Sequence, residues 1–360
     1  MKKIRLYLGK IKWLKITYDR TVLFFQKTKK KIRDSETVTF LSTHISGLRI
    51  HKLDSKRILL NAHEIRLFMV VRNESLRLPY FFKYYSKLGV DRFFIVDNSS
   101  TDDTLDFLLK QKNTHVFETK EHFDRQAYRI NYMLRKYGIG HWCVIVDADE
   151  IFKYPHSENI NLKQISKFLD TEGYSALHCL LLDMYSKTPF SSVVYKKGEN
   201  PLTKYSYFDS DGYSQEEHPF RLRKKSIKTG GVRLRVLNVK PWLSKYPLVK
   251  FHKGIFLEWG THVVHGANIA NIQGVSLHFK FMNDIHQKIT ERSEWVDEWN
   301  KDKPLNGYSE ECKIYAEKMQ NKNLTFYYSK SKKFKYEDQL MKYKLMKSTK
   351  KFDEYVKNEK

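Results

Sequence analysis

Short apolar runs alternate with segments whose apolar residues recur at helical spacing between residues 61 and 185. The runs predict buried strands at 65–71, 93–96, 115–117, 142–146 and 176–182, and the spaced segments predict helices at 76–88, 105–109, 123–137 and 162–169. Pro79 lies in the first turn of the first helix, and Gly89 and Gly138 follow two helices as stop signals. Strands that alternate with helices of this length indicate βαβ units, an α/β fold and an open, mostly parallel sheet flanked by helices.

This alternation ends near residue 185. Apolar and basic residues alternate at 232–236, which predicts a half-exposed strand, and the rest of the chain to 285 reads as loops and short strands. From 286 the sequence is basic, aromatic and helical in pattern. We therefore divide the chain into a basic N-terminal extension (1–60), two halves of one α/β domain (61–185 and 186–285) and a basic helical tail (286–360).

The charge is strongly positive, with 66 Lys and Arg against 41 Asp and Glu and a formal net charge of +25. Such a surplus favours polyanionic partners. Nucleic acid is not the expected partner, because the sequence contains no helix-turn-helix, zinc-finger or RNP-like pattern. A non-catalytic protein that binds nucleic acid or glycan through its basic surface is the alternative function.

Residues 1–33 contain twelve Lys and Arg and one acidic residue, and apolar residues recur among them at helical spacing. This pattern predicts a basic amphipathic helix, which either packs on the body or lies on an anionic membrane surface. Charges at Lys10, Lys12 and Lys15 interrupt any secretion signal. Three widely spaced cysteines suggest reduced thiols. We expect a cytoplasmic protein, peripheral to the inner face of a membrane.

Polar residues follow three of the predicted strands: Arg72-Asn73-Glu74, Asp97-Asn98 and Asp147-Ala148-Asp149-Glu150. The carboxyl ends of parallel strands form the usual ligand crevice of an open sheet. Three carboxylates in the last segment repel one another unless a cation is present, and carboxylate oxygens suit Mg²⁺ or Mn²⁺. The sequence has no glycine-rich phosphate loop, so a metal is the expected phosphate ligand.

The same three segments, with Ser99-Ser100-Thr101-Asp102-Asp103-Thr104 after the second, resemble the family 2 glycosyltransferases of the GT-A fold. The Asp-Ala-Asp-Glu variant is the more similar one. Later segments agree with the resemblance, which covers about residues 63–285: Leu182-Asp183-Met184-Tyr185-Ser186, Gly230-Gly231-Val232-Arg233, Lys245-Tyr246-Pro247-Leu248-Val249-Lys250 and Leu277-His278-Phe279-Lys280-Phe281. It implies a nucleotide-sugar donor, bound by the 61–185 half, and an acceptor bound on the 186–285 side.

The resemblance also implies roles for individual residues. Asn73 and Glu74 would line the nucleotide pocket, and Asp97 would contact the base or ribose. Asp147 and Asp149 would bind the donor diphosphate and its metal, Mn²⁺ or Mg²⁺.

The catalytic base and the third metal ligand have several candidates. An inverting transferase needs a carboxylate that accepts the proton of the acceptor hydroxyl. Asp183 is our candidate because it ends the strand after the acidic run; it could equally be a structural cap, and Glu216, Glu217 and Glu258 are rivals. The resemblance favours His278 as a metal ligand.

Two further choices stay open at this point. His262 and His265 are the other histidines considered for the metal. Arg233 and Arg235 either hold donor phosphates or face solvent. Together these expectations describe a metal-dependent, inverting glycosyltransferase that acts on a glycan or lipid-linked acceptor in cell-surface polysaccharide or lipopolysaccharide synthesis.

Overall fold

The computed structural model describes residues 36–58, 61, 63–121, 125–220, 223–291 and 307–359. The amphipathic helix predicted within residues 1–33 therefore lies outside the described residues. The strands are β1 His51–Lys52, β2 Arg66–Val71, β3 Arg92–Asp97, β4 Thr114–Glu118, β5 Trp142–Ile145, β6 Glu150–Lys153, β7 Ala176–Asp183, β8 Tyr207–Phe208, β9 Tyr213–Phe220, β10 Arg223–Gly230, β11 Ser244–Lys250, β12 Phe256–Glu258, β13 Val263–His265, β14 Ile269–His278 and β15 Lys332–Lys333. The α-helices are α1 Glu36–Leu48, α2 Leu78–Leu88, α3 Thr104–Leu109, α4 Gln126–Tyr137, α5 Leu162–Thr171, α6 Gly231–Leu237, α7 Gly307–Lys318, α8 Asp338–Lys342 and α9 Lys350–Asn358.

In the described part of the chain, nine strands form one sheet in the order β1-β4-β3-β2-β5-β11-β7-β14-β6. Strands β4, β3, β2 and β5 are parallel neighbours, and β7 and β14 run in the same direction, whereas β1, β11 and β6 run the opposite way. This architecture confirms the prediction of a mixed α/β fold with a large, mostly parallel sheet flanked by helices.

Apolar side chains cover both faces of the sheet, which explains why its strands read as continuous hydrophobic runs. All six residues of β2 are buried. Its alternate residues, such as Leu67 and Phe68, belong to two different core clusters. One cluster joins the sheet to α2, α5 and α9, and the other joins it to α4 and the β12–β13 hairpin. Asp97, Asp183 and His278 are the last residues of their strands, β3, β7 and β14.

The predicted helix ends are mostly confirmed. Pro79 lies in the first turn of α2, and Gly89 ends that helix with a φ of 107°. A glycine adopts this left-handed conformation without steric cost. Asn161 caps α5 by accepting hydrogen bonds from the backbone N–H groups of Lys163 and Gln164. The helix boundaries at Gly89 and Leu162 therefore lie where the sequence predicts them.

The prediction of a strand at 232–236 is wrong, because these residues lie in helix α6. Gly230 and Gly231 have φ values of 108° and 67°, and Asn238 caps the helix with a φ of 55°. The two glycines turn the chain directly out of β10, so five alternating residues do not continue as a strand. The tail from 286 is also not helical throughout, since β15 pairs with β8.

No helix among the described residues combines the length and the hydropathy that crossing a membrane requires.

Candidate active site

The register of three neighbouring strands places charged residues in one row. His278 at the end of β14 is opposite Asp183 of β7 on one side and Glu150 of β6 on the other. Residues opposite one another in a sheet project their side chains from the same face. Apolar residues of the same strands, before Asp183 and His278 and after Glu150, fix this register, because a shift by one residue would bury the wrong face.

The imidazole of His278 joins two carboxylates. Its Nδ1 lies 2.6 Å from Oδ1 of Asp183, and its Nε2 lies 3.4 Å from Oδ2 of Asp149. Asp149 comes from the turn between β5 and β6, and its carbonyl oxygen accepts a hydrogen bond from the backbone N–H of Phe279. Burial would lower the pKa of His278, but Asp149 and Asp183 outweigh it and raise that pKa. Burial would likewise raise the pKa of Asp149, but His278 holds it well below its usual range.

Asp183 is held on both of its oxygens. Oδ2 accepts a hydrogen bond of 2.8 Å from Nε of Arg233, and the residue is only 3% exposed. Burial would raise its pKa, but Arg233 and His278 lower it to about 2. Arg233 comes from α6 and also contacts Glu311 of α7. This geometry suits a carboxylate that orients His278 better than one that accepts a proton from a substrate.

The other two carboxylates of the acidic run share a lysine. Nζ of Lys245 lies 3.0 Å from Oδ2 of Asp147 and 2.7 Å from Oε1 of Glu150. Burial would raise the pKa of Asp147, but Lys245 lowers it. Glu150 is 1% exposed, and burial raises its pKa to about 7 despite Lys245. Antiparallel strand β11 carries the lysine between β5 and β7.

A second ionic group lies beside Asp149. Arg77, the N-cap residue of α2, donates to both oxygens of Asp284, at 2.5 and 2.7 Å, and contacts Glu74 at 3.2 Å. Lys288 also contacts Glu74. Arg77 and Asp149 line the same pocket, together with Tyr80, Tyr195, Pro201 and Met282. The structure thus brings Glu74 to the region of Asp149 through Arg77.

Asn73 and Asp97 lie at the neighbouring strand ends and shape the loops there. Asn73 has a φ of 54°, and its side-chain oxygen accepts a hydrogen bond of 2.7 Å from the N–H of Thr101. Asp97 accepts hydrogen bonds from the backbone N–H and the hydroxyl of Ser100. Burial raises the pKa of Asp97. Their roles toward a nucleotide stay predictions.

The rival candidates lie elsewhere or have other partners. Glu216 and Glu217 are on the β9–β10 hairpin. Glu258 pairs with His265 at 2.8 Å. Nδ1 of His262 contacts the carbonyl of Ser244, and burial lowers the pKa of this histidine to about 3. Arg235 pairs with Asp209 and covers the ring of Tyr328.

Asp149 and His278 supply two of the three ligands predicted for the metal. Asp183 fixes one ring nitrogen of His278 and directs the other toward Asp149, as carboxylates do for metal-ligating histidines. Asp147, by contrast, is neutralised by Lys245, and the described residues contain no ready group of three His, Cys, Asp or Glu side chains for a metal. A hard cation held by one or two protein ligands requires substrate phosphates to complete its coordination. Asp149 and His278 would therefore hold such a metal only together with a diphosphate.

Sequence reasoning missed the two most central cations. Lys245 was part of a segment noted for its resemblance, but it was assigned no role. Arg77 directly precedes α2 as its N-cap residue, and nothing in its local sequence distinguishes it from a surface arginine. A lysine directly before the apolar run 246–249 is the available signal, because a buried lysine requires a carboxylate partner.

Comparison with known proteins gives one informative similarity. A glycosyltransferase family 92 protein of Ricinus communis is 30% identical to the chain over 103 residues, which are 27% of this chain and 18% of that protein. The match thus spans less than a fifth of that relative's length. No protein-family model matches the chain. The similarity supports a glycosyltransferase, but it supports neither the family 2 assignment nor the metal role of the acidic run.

Proposed function

We propose that the protein is a metal-dependent glycosyltransferase that moves a sugar from a nucleotide-sugar donor to a hydroxyl of a glycan or lipid-linked acceptor. One observation carries the proposal: Asp149, His278 and Asp183 form a linked group where strands of a mostly parallel sheet end. The distant glycosyltransferase similarity gives the reaction class. The GT-A assignment, inversion at the anomeric carbon and a place in cell-surface polysaccharide or lipopolysaccharide synthesis rest on the family 2 resemblance.

Each residue then has a defined task. Asp149 and His278 would hold Mn²⁺ or Mg²⁺ together with the donor diphosphate, and Asp147 would bind the same donor. The cation, when bound, neutralises the charge that develops on the leaving nucleoside diphosphate. Asp183 keeps His278 in position, and Arg233 keeps Asp183 ionised. Asn73, Glu74 and Asp97 border the nucleotide.

Ligand-induced stabilisation tests this proposal. Melting temperatures are measured with a panel of nucleotide sugars, in Mn²⁺ and in chelator. A donor at 100 times its Kd stabilises the folded state by about 2.7 kcal/mol. We expect one nucleotide class to raise the melting temperature in Mn²⁺ alone. Stabilisation that is equal in chelator would contradict metal-dependent donor binding.

We further propose an anionic membrane surface as a partner, with the protein on the cytoplasmic face. The basic residues within 1–33 support this, since each contributes about 1 kcal/mol near an anionic leaflet. Sedimentation with neutral and anionic vesicles at low salt is the test. We expect a preference for anionic vesicles that residues 34–360 alone do not show; binding without such a preference would end this part of the proposal.

A further inference from the structure

An exposed tryptophan lies one residue from the candidate site. Trp259 is 58% exposed, the largest value among the exposed aromatic side chains of the described residues. It precedes Gly260, whose carbonyl oxygen lies 3.3 Å from Nζ of Lys245. That same nitrogen contacts Asp147. Tryptophan is enriched at binding interfaces, because its ring is apolar over most of its surface and carries one polar N–H.

The backbone that presents Trp259 is strained. Trp259, Gly260 and Thr261 have φ values of 52°, 61° and 78°, so three consecutive residues lie in the left-handed region. Only glycine adopts this region without cost, and a bulky aromatic residue or a β-branched threonine seldom occurs there. Strain of this kind persists where the surrounding structure enforces it, and it is commonest at functional sites.

The surrounding structure does enforce it, because the turn is attached to strand β11. The N–H of Tyr246 donates to the carbonyl of Thr261 at 3.2 Å, and Nδ1 of His262 lies 2.9 Å from the carbonyl of Ser244. Thr261 is buried. The turn is therefore fixed in place while its tryptophan points away from the core.

A second tryptophan supports the first. The ring centroids of Trp242 and Trp259 are 5.7 Å apart and the rings are nearly perpendicular, at 87°. Trp242 is half-buried and packs on Ile227 and Val263. An edge-to-face pair of this kind restricts the orientation of the exposed ring. The two rings therefore form a fixed aromatic pair near the strand ends.

The order of the strands indicates which substrate can reach the ring pair of Trp242 and Trp259. Strands β3 and β2, with Asp97 and Asn73 at their ends, lie on one side of β5, and β11 lies on the other. The nucleotide is assigned to the β3–β2 side. Trp259, held against β11, therefore lies on the opposite side of β5 from the strands assigned to the nucleotide.

We propose that Trp259 is the stacking platform of an acceptor subsite that binds a pyranose ring. A pyranose has an apolar face of C–H groups and a rim of hydroxyl groups. An exposed indole can pack its ring face on the C–H groups, and its N–H can donate a hydrogen bond to a hydroxyl. The assignment of this sugar ring to the acceptor rests on the proposed function. The binding of a sugar ring to the platform can be measured without any transfer reaction.

The experiment compares three variants with the wild-type full-length protein on an array of immobilised pyranose oligosaccharides, followed by titration of the best-bound glycan. Trp259→Gly removes the ring and places a glycine where φ is positive. The melting temperature of this variant should therefore be close to that of the wild type. Trp259→Phe keeps a smaller ring. Tyr336→Ala removes another aromatic side chain, 55% exposed, from outside the site.

We expect Trp259→Gly to weaken glycan binding about tenfold or more, which corresponds to about 1.4 kcal/mol. Trp259→Phe should lose less, and Tyr336→Ala should bind as the wild type does. Two results would overturn the proposal: a wild-type protein that binds no pyranose glycan, or a Trp259→Gly variant that melts normally and binds glycan undiminished. Hydrolysis of nucleotide sugars by the wild type is measured separately. Its absence would count against the proposed function, whereas the glycan titration alone decides the platform.

Discussion

Replacement of Lys245 by methionine provides the most quantitative test of the site's electrostatics. The change keeps an unbranched, flexible side chain that is one atom shorter, and it removes the charge. Asp147 is 39% exposed at its side chain and can be solvated, but Glu150 is 1% exposed and cannot. Removing one partner of a buried ion pair costs about 3–5 kcal/mol. We expect a loss of that size at pH 8.

Glu150 also makes this loss depend on pH. Its pKa is about 7 even with Lys245 present, so without the lysine it rises further and the side chain stays protonated at pH 8. The folded-state pKa is then above the unfolded one, so stability is present at low pH and is lost as pH rises toward the folded pKa. Each pH unit in this window costs about 1.4 kcal/mol.

The double variant Lys245→Met with Glu150→Gln provides the control. Glutamine keeps a hydrogen-bonding group for Ser276, which contacts Glu150 at 3.2 Å, and it does not titrate. Urea unfolding, followed by circular dichroism at pH 6 and pH 8, gives both stabilities. The free energy of unfolding of the double variant should be closer to that of the wild type than the value of the single variant is. The difference in unfolding free energy between the two variants should grow by about 3 kcal/mol from pH 6 to pH 8. A gap that does not change with pH would refute this description of Glu150.

Two further predictions concern the elements that hold the site. Gly230→Ala should destabilise the fold by about 2 kcal/mol or more, because its φ is 108° and a Cβ there would lie 2.2 Å from the carbonyl oxygen of Gly212. Gly212→Ala, with a positive φ and no atom within 4 Å of the added Cβ, is its control in thermal unfolding, and equal losses would show that the close approach is unimportant. Asp183→Asn should weaken Mn²⁺ binding about 10–100-fold, measured by calorimetric titration in the presence of a nucleoside diphosphate, because His278 loses the carboxylate that orients it; an unchanged affinity would argue against His278 as a ligand.

The parallel part of the fold could be predicted from the sequence because its signals are local. Residues 67–71 form a continuous apolar run, and Gly89 follows a helix at the expected position. The insertion of β11 between β5 and β7 could not be predicted in this way. Strand pairing over about a hundred residues of chain depends on tertiary packing, and no local pattern in 244–250 specifies its neighbours.

The candidate site shows the same division. Asp147 and Asp149 were identified because a strand ends in them, and His278 because of its segment's resemblance. The residues that contact them could not be predicted. The Arg233–Asp183 ion pair, for example, joins α6 to β7, and the alternating pattern at 232–236 predicts a strand in place of α6. An ion pair between residues 50 positions apart leaves no periodic signal in the sequence.

Hydrolysis of nucleotide sugars by the wild type and by Asp149→Asn tests the central claim most directly. The amide keeps the shape of the side chain and removes the charge that a metal requires. Asp170→Asn, which removes an exposed carboxylate paired with Lys250, is the matched control. We expect Mn²⁺-dependent hydrolysis of one nucleotide sugar by the wild type and by Asp170→Asn, and at least a hundredfold loss, about 2.7 kcal/mol, in a folded Asp149→Asn variant. Undiminished hydrolysis by Asp149→Asn, or hydrolysis by the wild type that persists in chelator, would contradict the claim.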